Sequence, residues 1–169
     1  ATILLVESDG TPEEVAEEID RIKSVLDASG ATQLKVSQSE PERLRFWAGR
    51  KAAFPAVGRI SPDYYCMDGT IPRKRLGEVL KAIERMEDKY GLRCANVFHA
   101  GDGNLHPLIM FDANDPDSVV RAEEFGFEIL ELSIAVGGTV TGEHGVGVEK
   151  VHQMCQQFDA TTLEAFHAI

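Results

Sequence analysis

His99, His106, Glu143 and His144 are the residues of this sequence whose types and spacing can do chemistry. The two histidines bound the run HAGDGNLH, and Glu143 and His144 lie inside the glycine-rich GEHGVG. Asp102-Gly103 is a strong type I′ turn signal, because both central residues of that turn need positive φ, which Asp and Gly tolerate. With the turn there, Gly101 faces Asn104, Ala100 faces Leu105 and His99 faces His106. Opposed residues of an antiparallel pair have Cβ atoms roughly 4.5 to 5.5 Å apart, close enough for two imidazoles to share one cation. Glu143 would complete a His/His/Glu set that leaves coordination positions open for water or substrate, as in a catalytic zinc site. Adjacent side chains of extended backbone point to opposite faces, so Glu143 can bind metal while His144 stays free as a base. The competing reading makes each histidine an ordinary surface or core residue. Four polar residues amid glycines, in segments without helical apolar spacing, weigh against it.

Other candidates are less specific. In FWAGRKAAFP, Arg50 and Lys51 stand near a predicted helix end, where a guanidinium can grip a substrate carboxylate by a two-point contact. A solvated basic pair in the last turn of a helix is the plainer alternative. Asn104 either orients a ligand or serves the turn. Tyr64 and Tyr65 take opposite strand faces, with core packing the default for each. GDGNLH misses the dinucleotide fingerprint GxGxxG, since His106 stands where the third glycine belongs and a hairpin follows. No Walker sequence and no GxSxG elbow is present.

The elements that must position these residues follow from periodicity and caps. ILLVESDG reads as a buried strand, and Thr11-Pro12-Glu13-Glu14 as a capping box opening a helix with the stripe Val15, Ile19, Ile22 and Leu26, closed at Gly30. Residues 32–36 alternate like a second strand, and Ser39-Glu40-Pro41-Glu42 opens a short helix toward Arg50. Residues 64–67 predict a third strand closing at Asp68-Gly69. Pro72 starts a helix with Leu76, Val79, Leu80, Ile83 and Met86 on its apolar face, ended by Gly91. Strands over 92–99 and 105–111 flank the hairpin, and Asp115-Pro116 caps a helix broken at Gly137-Gly138. A helical region closes the sequence. Hairpin and crossover connections together predict an α+β fold, ferredoxin-like, with an antiparallel sheet and helices mainly on one face.

With 169 residues and 43% hydrophobic content, one domain with a proper core is expected, residues 1–169. A net charge of −11 argues against non-specific binding to nucleic acid or an anionic membrane. No apolar run approaches the ~20 residues of a spanning helix, and no signal peptide is visible. Cys66, Cys94 and Cys155 form no CxxC pair and no even framework, which favours a reducing cytosol. The first residues fall inside an apolar strand-like run and the last inside a helix-like one, so the sequence reads as a piece of a longer protein.

Taken together, FWAGRKAAFPAVGRISPDYYCMDGTIPR, NVFHAGDGNLHPLIMFDAN and GEHGVGVEK resemble the C-terminal, substrate-side domain of FAD-linked oxidases of the vanillyl-alcohol-oxidase type. The resemblance covers essentially the whole chain. It is strongest to the members that oxidise D-2-hydroxy acids, the FAD-binding subunits of glycolate oxidases above all, with D-lactate and D-2-hydroxyglutarate dehydrogenases alongside. It implies that His99, His106 and Glu143 bind a divalent metal (Zn, Mn or Fe), that His144 is the base and that Arg50 binds the substrate carboxylate. Cys66 stands where the hydroxyglutarate enzymes have a substrate-contacting lysine, so the resemblance points to a small monocarboxylate such as glycolate or D-lactate. The family's FAD domain lies mainly N-terminal to this region, and nothing here resembles its pyrophosphate loop. The implied partners are a small 2-hydroxy acid and the other subunits of a glycolate oxidase complex, cytoplasmic or held at the inner membrane by those subunits. A domain cut from its FAD domain is expected to be inactive alone and to expose an apolar patch that favours self-association.

Two other function classes fit the residues alone. One is a ferredoxin-like binding or dimerisation module with structural histidines. The other is a metal-dependent hydrolase, since His/His/Glu with an open position can activate water.

Overall fold

Thr11 opens the first helix with the reciprocal pair its sequence predicts. Its side chain accepts the Glu14 N–H, and the Glu14 carboxylate takes the Thr11 N–H at 2.9 Å. The computed structural model describes residues 2–169, which form two compact units, one up to Ala53 and one from Phe54 to Ile169.

The first unit consists of α1 (Pro12–Ala28) and α2 (Glu40–Lys51), and neither helix has a fully buried residue. The second capping box is incomplete: Ser39 makes no side-chain cap bond, and the Glu42 carboxylate takes the Gln38 N–H at 2.8 Å instead. The two strands expected at 3–6 and 32–36 do not form. An apolar run becomes a strand only where a neighbouring ladder satisfies its N–H and C=O groups, and among the described residues none pairs with these. Ile3 is 90% exposed.

The short α3 (Ala53–Val57) leads into the second unit, followed by β1 (Asp63–Cys66), β2 (Gly69–Thr70), a 3-10 turn at Arg73–Arg75, α4 (Leu76–Tyr90), β3 (Cys94–His99), β4 (Asn104–Phe111), α5 (Pro116–Ala135), α6 (Val151–Gln157) and α7 (Ala160–Ala168). Gly91, in the left-handed region at φ 63°, ends α4, and the Asp115 side chain caps α5. Every strand pairs antiparallel with β4, so the fold is α+β as expected. β1 and β2 share one edge of β4 in a single unbroken register, and β3 holds the other. This is a split β-α-β order. Where a ferredoxin-like sheet has its fourth strand there is one antiparallel bridge, Thr70 to Thr139.

The pleat sorts β4 into two faces. Leu105 and Ile109 join Met67, Ile71 and the inner stripes of α4 (Val79, Ile83, Met86) and α5 (Phe125, Ile129, Leu130) in the main core. Leu108 and Met110 point the other way, onto Val57 and Phe54. The two long helices thus cover one face, and Asn104 and His106, by parity, belong to the other.

The hairpin differs from its prediction. His99 stands opposite Asn104, and His106 opposite Val97, so the register is displaced by two residues from the expected His99 to His106 pair. Among the described residues none other than glycine has positive φ, which rules out a type I′ turn at Asp102-Gly103. The loop spans 100–103 instead, with the His99 carbonyl accepting the N–H groups of both Asp102 (3.1 Å) and Gly103 (3.0 Å). A neighbouring segment decides this. The Ile71 N–H donates to the Gly103 carbonyl at 2.9 Å, and a Cβ on Gly103, at φ 78°, would collide with the Ile71 carbonyl oxygen.

Candidate active site

A displacement of two residues preserves the face, because side chains alternate with period two. His99 and His106 therefore still meet, now as diagonal neighbours, with ring centroids 5.6 Å apart. His106 is buried at the centre of the cluster and His99 is exposed at its rim. The Glu143 carboxylate reaches both: its Oε1 lies 2.9 Å from His106 Nε2 and 3.8 Å from His99 Nε2. One ligand atom from each of His99, His106 and Glu143 falls within 4.8 Å of the others.

His144 stacks obliquely on His106, ring centroids 4.9 Å apart, and its Nε2 is 4.0 Å from Glu143 Oε1. The two neighbours serve different clefts. Glu143 lines one of about 300 Å³ with Thr70, His99, Asp102, Asn104 and Gly142, whereas His144 lines one of about 220 Å³ with Cys66 and Lys150. The expected extended backbone is absent, and residues 142–144 instead form a bend that turns the two side chains toward different clefts.

The bend is built on Asp68, which the sequence reading placed only in a turn. Its Oδ2 accepts the backbone N–H groups of Gly142 (2.9 Å), Glu143 (3.0 Å) and His144 (2.8 Å) and the Thr141 hydroxyl (2.9 Å). Lys150, also buried, donates from Nζ to the Asp68 carbonyl at 2.9 Å and lies 3.7 Å from Oδ2. Burial alone would raise the Asp68 pKa, but the His144 N–H, the Thr141 hydroxyl and the Gly142 and Glu143 N–H groups outweigh it and hold the carboxyl at about 2. Burial pushes the Lys150 ammonium down, opposed chiefly by Asp68. A signal for Asp68 exists in the alternation of Tyr64, Cys66 and Asp68, which assigns it to the face of His106. Its register along β4 places it opposite that histidine.

Asn104 is buried, its Oδ1 has no hydrogen-bond partner, and Gly142 packs so closely that a Cβ there would meet Oδ1 at 2.5 Å. Arg50 lies in the first unit, half-buried in the last turn of α2.

The whole chain, residues 1–169, matches the family described as FAD linked oxidases, C-terminal domain. The chain belongs to that family. It is 59% identical over 167 residues to glycolate oxidase subunit GlcD of Escherichia coli (strain K12), covering 99% of this chain and 34% of the relative. It is 34% identical to the GlcD subunit of Bacillus subtilis (strain 168), over 99% of this chain and 36% of the relative. Against the mitochondrial D-lactate dehydrogenase (cytochrome) of Arabidopsis thaliana, identity is 26% over 100% of this chain and 30% of the relative. The chain thus spans about a third of the length of these relatives.

The donor set of this FAD-linked oxidase domain fits a divalent cation. Both His106 ring nitrogens are buried without a hydrogen-bond partner, which is costly unless another ligand satisfies them. Burial first, and then the facing His144, keep the His106 pKa below its ordinary value, favouring the neutral ring that binds metal. Two imidazoles and one carboxylate are the donors that zinc and neighbouring transition metals accept. No helix among the described residues is long and apolar enough to cross a membrane.

Proposed function

We propose that this chain is the substrate-side domain of a flavin-dependent enzyme that oxidises a small 2-hydroxy acid, glycolate or D-lactate, to the 2-oxo acid. The observation that carries the reading is the convergence of Glu143 on both hairpin histidines, with His144 beside them and facing a separate cleft. Similarity to glycolate oxidase subunits and to D-lactate dehydrogenases supports the substrate class.

In this reading His99, His106 and Glu143 hold a divalent cation, which when bound supplies the positive charge that acidifies a substrate hydroxyl, and FAD, held by another part of the protein, supplies the electron acceptor. His144 takes the hydroxyl proton on an imidazole nitrogen, a role open to it because its ring is half exposed and faces a cleft separate from that of Glu143. Asn104, lining the same cleft as Glu143, orients the substrate through its amide. Arg50 binds the substrate carboxylate, as the resemblance implies. Cys66 lines the His144 cleft with a thiol that burial pushes up to about 11, so it is neutral at physiological pH and offers no charge to a second carboxylate.

The test is oxidation of glycolate and D-lactate by the intact protein, purified without chelator, before and after removal of flavin and of metal. The reading expects turnover only with both present, and none of either acid by the 169-residue chain alone. Hydrolytic turnover with metal and no flavin would replace it with the hydrolase reading.

A further inference from the structure

The three amides that converge on Asp68 belong to consecutive residues, and in extended backbone consecutive N–H groups point to opposite sides. One acceptor can collect all three only if the chain bends around it. Such a bend is a nest, a concavity of backbone N–H groups that binds an anion, and here the anion is a side chain of the same protein. The acceptor is fully buried and stands 73 to 76 residues away along the chain, so a distant segment holds the bend, beside one local bond from the Thr139 hydroxyl to the Thr141 carbonyl. Lys150 anchors the other side, tied to the Asp68 carbonyl at 2.9 Å. The free oxygen, Oδ1, is buried without a hydrogen-bond partner and lies 3.7 Å from His106 Nε2.

We infer that Asp68 is the positioning residue of this site: its carboxylate fixes the 141–144 bend, and so sets where Glu143 and His144 stand relative to His106. Glu143 is half exposed and its carboxylate contacts only the imidazoles of the cluster, so the position from which it reaches them is set by its backbone. The consequence for cation binding rests on the function proposed above, whereas the clamp itself does not.

Hydrogen exchange by mass spectrometry on the intact protein tests the clamp, and titration with zinc alone tests its consequence. Wild type should protect the amides of 142–144. Asp68→Ala should speed their exchange at least about tenfold while peptides from α4 and α5 stay unchanged, as expected for local opening. Asp68→Asn should weaken zinc binding at least about tenfold, and much less in a Glu143→Gln background, the non-additivity expected of residues acting through one another. If Asp68→Ala does not fold, Thr141→Val, which removes one of the four donors and leaves Asp68 in place, should shift exchange in the same direction by less. Unchanged exchange at 142–144 in a folded Asp68 variant would overturn the inference, as would full additivity of the Asp68 and Glu143 substitutions. A wild-type protein that takes up no zinc would count against the cation reading, and the exchange result alone would then uphold or overturn the clamp.

Discussion

His99 and His106 meet as a diagonal pair across the β3–β4 hairpin, 5.6 Å between ring centroids, although the residue directly opposite His99 is Asn104. The pairing survives a displaced register because the displacement is even. A displacement of one residue would have sent one ring into the helix-covered core.

The two rings differ in burial, and their substitutions should differ accordingly. His99→Ala, at an exposed position, should lower cation affinity and leave thermal stability near that of wild type. His106→Ala should lower both cation affinity and stability, removing the binding atom and a buried ring whose centroid lies 6.0 Å from that of Phe54, with a stability loss on the order of 2 kcal/mol. Thermal melts beside zinc titrations separate the effects. Equal melting temperatures for the two variants would contradict the assignment of His106 to the buried centre.

Gly103 is where the hairpin meets the rest of the unit. Gly103→Ala places a Cβ against the Ile71 carbonyl in a positive-φ conformation that L residues rarely adopt. It should cost about 2 kcal/mol or more and weaken cation binding, because the loop it distorts joins the two histidine strands. Gly101→Ala, where a Cβ meets nothing within 4 Å, is the control and should be nearly silent. Denaturant midpoints of the two variants check this.

The difference between these glycines also shows where the sequence was legible. Thr11 and Glu14, three residues apart, cap α1 as read, and Asp115 and Gly91 bound their helices, because each signal is local. The face shared by His99 and His106 was legible through parity. The turn type was not, because Ile71, more than thirty residues away, dictates the loop. The runs at 3–6 and 32–36 carry strand-like composition without a partner ladder, and composition does not reveal a missing partner. Asp68 read as half of a turn dipeptide, since its four donors arrive from a segment whose approach depends on the whole second unit.

Acid should expose the same residue. A carboxyl held at about 2, below its ordinary value of 3.8, stabilises the folded state above the unfolded pKa, and that contribution is lost as pH falls through the folded pKa. Stability should therefore decline between about pH 4 and about pH 2, by on the order of 2 kcal/mol from this group. Asp68→Asn should lower stability at neutral pH and flatten that decline. Denaturant midpoints across the range measure it, and identical acid slopes for both proteins would contradict the clamp's energetic weight.

In the proposed function Glu143 binds the cation while His144, its neighbour, moves the proton. Metal content measured beside kcat in the intact protein tests this most directly. Glu143→Gln should lower both, because a neutral amide is a poorer ligand for a dication than a carboxylate. His144→Ala should keep the metal and lose about 10²- to 10⁴-fold in kcat, with the basic-group limb of the pH profile changed. Metal lost from the His144 variant and fully retained in the Glu143 variant would contradict the assignment and reverse the two roles.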